Sequence, residues 1–260
     1  LVEPMKGRFP SPISVHIDPA LKTKGCPHFA GCLIRGVKNG PSPDWMQARL
    51  KAAGQRPISA LVDCTNYLML ACGRPAHAYD LAKLNGAVVA RRATDGEQVM
   101  ALNEKVYALT SEITVIADDG GVHDIAGIMG GQHSGCSETT TDVLLEIAYF
   151  TPERIAKTGQ ALTLTSDARS RFERGVDPDF TLPGLEMATR MILDLCGGQA
   201  SHVVSDGAPI ATQRSYRLDP ARVVSLVGME IPEAEQRATL TALGFSLDGD
   251  LASPPSWRPD

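Results

Sequence analysis

No run of about twenty apolar residues occurs anywhere in the sequence, so it offers no membrane-spanning helix, and it shows no secretory signal segment. A basic surplus is missing too. The 25 Lys and Arg against 30 Asp and Glu leave a net charge of −5, which excludes nucleic-acid binding by general charge. Any RNA contact then falls to a local patch or to parts outside this chain. There is no Cys-x-x-Cys pair. The six cysteines, Cys26, Cys32, Cys64, Cys72, Cys136 and Cys196, are scattered, whereas zinc sites normally use close pairs. Cys26, His28 and Cys32 form one residual metal candidate, and His123, His133 and Cys136 form another. The reading adopted is no metal, with reduced and mostly buried thiols in a cytoplasmic protein. Repeats and low-complexity segments are absent. The sequence starts without Met and stops abruptly at Asp260, and it reads as a piece of something longer.

What is present includes one conspicuous carboxylate. The run Leu144-Leu145-Glu146-Ile147-Ala148-Tyr149-Phe150 reads as a buried strand with Glu146 inside it. Charging a carboxylate in an apolar site is costly unless it finds partners. Gly127-Ile128-Met129-Gly130-Gly131 comes shortly before, and Thr165-Ser166-Asp167 shortly after. Together they suggest a small pocket with exposed backbone on one wall and a carboxylate on another. The plainer alternative places Glu146 on the wet face of its strand.

The pattern along the chain indicates an α+β fold. Residues 1–24 read as a leading strand, around Ser14-Val15-His16-Ile17, and a linker. A strand is expected at 31–36, and helices at 43–53 and 61–70, the second stopped by Gly73. From 86 to 150 the period becomes two, with short strands at 88–90, 98–100, 106–108, 113–117 and 143–145. This predicts one mixed or antiparallel sheet. Helices are expected at 152–159, at 167–174 behind Ser166, and at 182–196, where Leu185, Ala188, Ile192 and Leu195 recur on one face. A linker is expected at 205–210. A small helical unit should follow from 212 to 260, with a hairpin using 245–247 and Pro254-Pro255.

Several strings carry a resemblance. They are Arg56-Pro57-Ile58-Ser59, Val62-Asp63-Cys64-Thr65-Asn66-Tyr67, Gly73-Arg74-Pro75-Ala76-His77-Ala78-Tyr79-Asp80, the stretch from Gly127 through Gly135, Leu145-Glu146, and the stretch from Thr165 through Pro178. In order and spacing they resemble the beta subunits of bacterial phenylalanine–tRNA ligases over nearly the whole chain. Residues 25–205 resemble the editing module, and 212–260 the truncated start of the next one, near Trp257-Arg258-Pro259-Asp260.

The resemblance implies an α₂β₂ ligase with the alpha subunit and tRNA(Phe) as partners, a cytoplasmic location and no membrane contact. It implies no cofactor on this chain, ATP and Mg²⁺ serving aminoacylation elsewhere in the holoenzyme. The implied activity is hydrolysis of mischarged Tyr-tRNA(Phe). A pocket shaped for Phe rejects an isostere with one added hydroxyl poorly, so a second site must recognise that hydroxyl. Glu146 matches the residue with this role, with Gly130 beside it. His77 and Ser166 match catalytic positions, Ala168 matches a small residue that leaves room for the ring, and Arg56 and Asn66 match supporting or tRNA-end contacts. Arg169, Arg171 and Arg174 either meet phosphates or form a solvated helix face with Glu173. Two competing readings stay open: a non-catalytic tRNA-docking or scaffolding module, and a metal-dependent hydrolase resting on the His/Cys sets.

Overall fold

The computed structural model describes residues 6–258. Residues 1–5 of the leading segment, and Pro259 and Asp260 of the carboxy-terminal signature, lie outside the described residues. The chain divides into two compact units after Ile210.

In chain order the first unit holds β1 (Val15–Ile17), β2 (His28–Arg35), α1 (Asp44–Ala52), α2 (Ala60–Cys72), β3 (His77–Asp80), β4 (Val88–Arg92), β5 (Gln98–Met100), β6 (Val106–Ala108), β7 (Thr114–Asp118), β8 (Gly121–Ile125), β9 (Met129–Gly130), β10 (Asp142–Tyr149), α3 (Pro152–Ala161), α4 (Asp167–Phe172), α5 (Thr181–Cys196), β11 (Gln199–Ala200) and β12 (Val204–Gly207). The fold is α+β, as the sequence pattern indicated, but its strands form two main sheets rather than one. The first has the order β1-β4-β7-β8-β9, with β1 parallel to β4 and the remaining pairs antiparallel. The second has the order β11-β2-β10-β3, with β12 also pairing along β2. β5 and β6 form a separate hairpin.

Strands were expected within β2 and β10, at 31–36 and 143–145, but not their separation into a second sheet, for a physical reason. Seven of the eight residues of β2, and seven of the eight of β10, are buried. A strand covered on both faces reads as a continuous apolar run, not as an alternation. One face of these strands, with Ala30, Cys32, Ile34, Leu145 and Ile147, packs on α2 and α5 through Leu61, Leu68, Leu185 and Ile192. The other face, with Phe29, Leu33, Leu144 and Ala148, packs with Val15, Val88 and Val115 of the first sheet. Side chains alternate along a strand, so Glu146 shares the face of Leu144 and Ala148 and points between the sheets.

Helix ends follow local chemistry. Gly73, in the left-handed conformation at φ 67°, stops α2. Ser166 caps α4, its hydroxyl accepting from the Arg169 amide at 3.0 Å. The expected linker at 205–210 is partly strand, because Val204–Gly207 pairs antiparallel with β2.

The second unit holds β13 (Tyr216–Arg217), α6 (Ala221–Val227), α7 (Glu233–Ala242), β14 (Ser246–Asp248) and β15 (Leu251–Ser253). Its sheet has the order β13-β15-β14. The hairpin is β14–β15. Pro254 and Pro255 follow it instead of forming it, since proline has no amide hydrogen for a ladder. Among the described residues, no helix is long and apolar enough to cross a membrane.

Candidate functional site

The pairing of β3 with β10 sets the site. In register, Glu146 stands opposite His77, so the two side chains are cross-strand neighbours on one face. Both line a cavity of about 80 Å³ together with Asp124, Gly130, Ala168 and Phe172. A single water needs roughly 10–15 Å³ by this measure. The space therefore exceeds what one water needs.

Another wall, formed by β8, β9 and the turn between them, carries two glycines. Gly127 and Ile128 turn the chain between β8 and β9, with Gly127 at φ 69°. A Cβ on Gly127 would meet Ile155 and Phe150 at 2.8 and 2.9 Å. A Cβ on Gly130 would stand 2.6 Å from His77 Cε1, so glycine here is what lets the imidazole lie against the strand. The Gly130 carbonyl accepts from the Leu102 amide at 2.9 Å. Ser166 stands behind this wall and is not part of the cavity lining. Its hydroxyl donates to the Ile128 carbonyl at 2.6 Å and accepts from the Arg169 amide. A catalytic role was expected of it, but its hydroxyl lies outside the cavity lining and ties α4 to the glycine turn, beside Ala168 of the lining.

The electrostatics are concentrated on the other wall. Glu146 is 6% exposed, and its Oε1 is buried without a hydrogen-bond partner. Burial foremost, and then the Asp124 charge, push its carboxyl up to about 8, against a smaller opposing pull from Arg74. At neutral pH it is mainly protonated, able both to donate and to accept. Such burial disfavours the ionised form. It also excludes the alternative of a wet strand face.

Asp124 was not singled out from the sequence. Its carboxylate accepts the Tyr79 hydroxyl in a short hydrogen bond and the Gly131 amide at 2.8 Å, and its Oδ1 lies 3.8 Å from His77 Nε2. The His77 and Tyr79 rings meet edge to face, 4.5 Å between centroids. The one available signal was Asp124's position, six residues before Gly130. Arg74 was also missed as a fixing element. It is 1% exposed and donates to the Ala148 carbonyl, the Asp177 carbonyl and the Thr181 hydroxyl. It thereby clamps β10 to the segment that enters α5.

Of the expected site residues, the structure brings His77, Gly130, Glu146 and Ala168 to one cavity. It does not bring Arg56, exposed between α1 and α2, or Asn66, half-buried on α2, to its lining. Arg169, Arg171 and Arg174 turn back on their own helix or the loop before it: Arg169 bonds Glu173 and the Leu164 carbonyl, Arg171 the Asp167 carbonyl, and Arg174 the Ser170 carbonyl. Among the described residues, no three His, Cys, Asp or Glu side chains converge as metal ligands. Cys26 donates to the His28 carbonyl, and Cys136 to that of Ala78. His123 stacks on His133 and pairs with Asp118 at 2.7 Å.

With this geometry in view, known proteins give a consistent picture. The family model described as B3/4 domain matches residues 25–197. The chain is 65% identical over 259 residues to a phenylalanine–tRNA ligase beta subunit of Cereibacter sphaeroides, and 60% identical over 255 residues to that of Novosphingobium aromaticivorans. These alignments cover 100% and 98% of this chain but 32% of each relative. The chain thus spans about a third of the length of the curated relatives it matches. A solved amino-terminal fragment of the phenylalanyl-tRNA synthetase beta subunit from Pyrococcus horikoshii shares the fold, with a TM-score of 0.50 at 14% identity, over 99% of this chain and 73% of that one.

Proposed function

The chain belongs to the B3/4 domain family, and from that premise we propose that it is the editing segment of a phenylalanine–tRNA ligase beta subunit, hydrolysing Tyr-tRNA(Phe) made in error. The observation that carries the reading is the buried, unpaired carboxyl of Glu146 beside His77 in one small cavity. A tyrosine hydroxyl would complete the hydrogen bonding of Glu146. A phenyl ring in the same place would seal that carboxyl from water with nothing to bond. Stranding a buried polar group costs about 1–3 kcal/mol, a roughly 5- to 150-fold preference for the phenol. An apolar synthetic pocket cannot supply that discrimination by itself.

The chemistry asked of the site is modest, because the aminoacyl ester is already activated. Water adds to the ester carbonyl carbon, the bond to the ribose oxygen breaks, and that oxygen leaves with a proton, giving free tyrosine and intact tRNA. His77 is the group within the cavity suited to orienting the water or moving its proton. Gly130 and Ala168 keep the ring space open. In this reading tRNA(Phe) and the alpha subunit are the partners, the complex works in the cytoplasm, and ATP and Mg²⁺ serve aminoacylation away from this cavity. A docking module without activity would have no use for an unpaired carboxyl set against an imidazole.

The test is deacylation of Tyr-tRNA(Phe) and Phe-tRNA(Phe) by the complete subunit assembled with its partner. Faster hydrolysis of the tyrosyl ester supports the reading, and equal, background-level loss of both esters refutes it. Hydrolysis that stops on exhaustive chelation would favour the metal-dependent alternative.

A further inference from the structure

We infer that Asp124 is a positioning residue for hydrolysis: it holds the His77 imidazole with the proton on Nε2 and so leaves Nδ1 free to take a proton from water. The inference rests on the editing function proposed above and adds a residue and a proton path to it.

The geometry carries it. His77 Nε2 is buried and has no hydrogen-bond partner, and Asp124 Oδ1 lies 3.8 Å from it. A rotation that shortens this by about 1 Å makes an ordinary N–H···O bond. Asp124 is itself immobilised. Tyr79 donates to Oδ2, the Gly131 amide donates to Oδ1, and the carboxylate is 5% exposed on β8. Gly130, its register partner on β9, leaves no Cβ to push His77 away. A carboxylate fixed in this way at one ring nitrogen dictates the tautomer, and the other nitrogen becomes the base.

The step then balances. A water proton passes to Nδ1 as the water oxygen bonds to the ester carbonyl carbon. The imidazolium, stabilised by Asp124, returns the proton to the ribose oxygen as the ester C–O bond breaks.

Two measurements separate this inference from the function it rests on. The first needs no activity: ¹⁵N spectra of the 260-residue chain labelled at its six histidines, with His77→Gln used to assign the His77 signal. The expected result is a protonated Nε2 and a bare Nδ1 in the neutral ring, with this preference lost in Asp124→Asn. A neutral ring protonated on Nδ1, or an unchanged tautomer in Asp124→Asn, overturns the inference. The second is steady-state deacylation of Tyr-tRNA(Phe) by the assembled enzyme. Asp124→Asn should lower kcat about a hundredfold with little change in KM. The His77→Ala and Asp124→Asn double variant should be no slower than His77→Ala alone. Additive losses, or an effect confined to KM, overturn it. If Asp124→Asn does not fold, Tyr79→Phe replaces it: it loosens the same carboxylate, and a smaller fall in kcat is expected, again absent in the His77→Ala background. The expected tautomer in an enzyme that does not deacylate Tyr-tRNA(Phe) would refute the editing role while the Asp124–His77 pairing stood.

Discussion

The two walls of the cavity are built by opposite rules. On the β3–β10 wall, Glu146 and His77 each keep a buried polar atom without a partner. On the facing wall, Gly127, Gly130 and Ala168 contribute almost no side chain, and the groups behind them, the Ser166 hydroxyl and the Gly130 carbonyl, are hydrogen-bonded. Unpaired polar groups cost stability in a closed core. Their concentration on one wall marks where a ligand's polar atoms belong. The other wall sets size, and through Asp124, paired with Gly130, it also faces His77. The first wall should therefore control which ester is chosen, and the glycines and Ala168 of the second whether any ring enters.

The largest effect should come from filling the bare wall. In Gly130→Ala the new Cβ would stand 2.6 Å from His77 Cε1, and the imidazole must move. A displacement on the order of 1 Å can cost about a hundredfold in rate. Deacylation of both esters should fall by that order while aminoacylation is unchanged. Ala168→Trp should depress both equally through volume. A selective effect of either substitution would show that the walls do not divide the labour in this way.

The next prediction concerns the titratable wall. The Glu146 carboxyl sits at about 8 in the folded chain, above the ordinary carboxylate value near 4.3. Between those values the folded state holds a proton that the unfolded state has lost. Stability from this group is thus highest below about pH 4 and falls as pH rises toward 8. Glu146→Gln removes that dependence. The variant should gain stability relative to the parent as pH is raised from 5 to 8.5 in denaturant titrations. A constant difference would mean that Glu146 is solvated in the folded state.

The smallest effect is on the support of the bare wall. Ser166→Ala loses a helix cap and the tie to the Ile128 carbonyl, for about 1 kcal/mol of stability. Thermal unfolding measures this directly. Deacylation should fall only slightly, whereas a fall as deep as that of His77→Ala would restore a catalytic hydroxyl to the account.

How much was legible in the sequence follows the same division. Glu146 stood out because a lone carboxylate in an apolar run violates the strand pattern. Gly130 was legible as part of a glycine-rich run just before that strand, whereas Ala168 carries no chemical signal of its own and only the resemblance singled it out. Asp124 and Arg74 stayed hidden because their roles come from sheet register and long-range contacts: Asp124 meets Tyr79, 45 residues away, and Arg74 meets Thr181, 107 residues away. Local periodicity located helices such as α5 and exposed strands such as β5 and β6. It could not divide the strands between two sheets, because β2 and β10 are buried on both faces. Ser166 was correctly read as the residue before a helix, but its hydroxyl could not be seen turning to the Ile128 carbonyl rather than into the cavity.

The central claim is that Glu146 chooses the ester by its substrate's hydroxyl. The direct measurement is the ratio of kcat/KM for Tyr-tRNA(Phe) to that for Phe-tRNA(Phe), in the assembled enzyme, before and after Glu146→Ala. The account predicts that the ratio falls roughly 5- to 150-fold, mainly through loss of the tyrosyl reaction. An unchanged ratio, with the tyrosyl ester still hydrolysed at the parent rate, would contradict it.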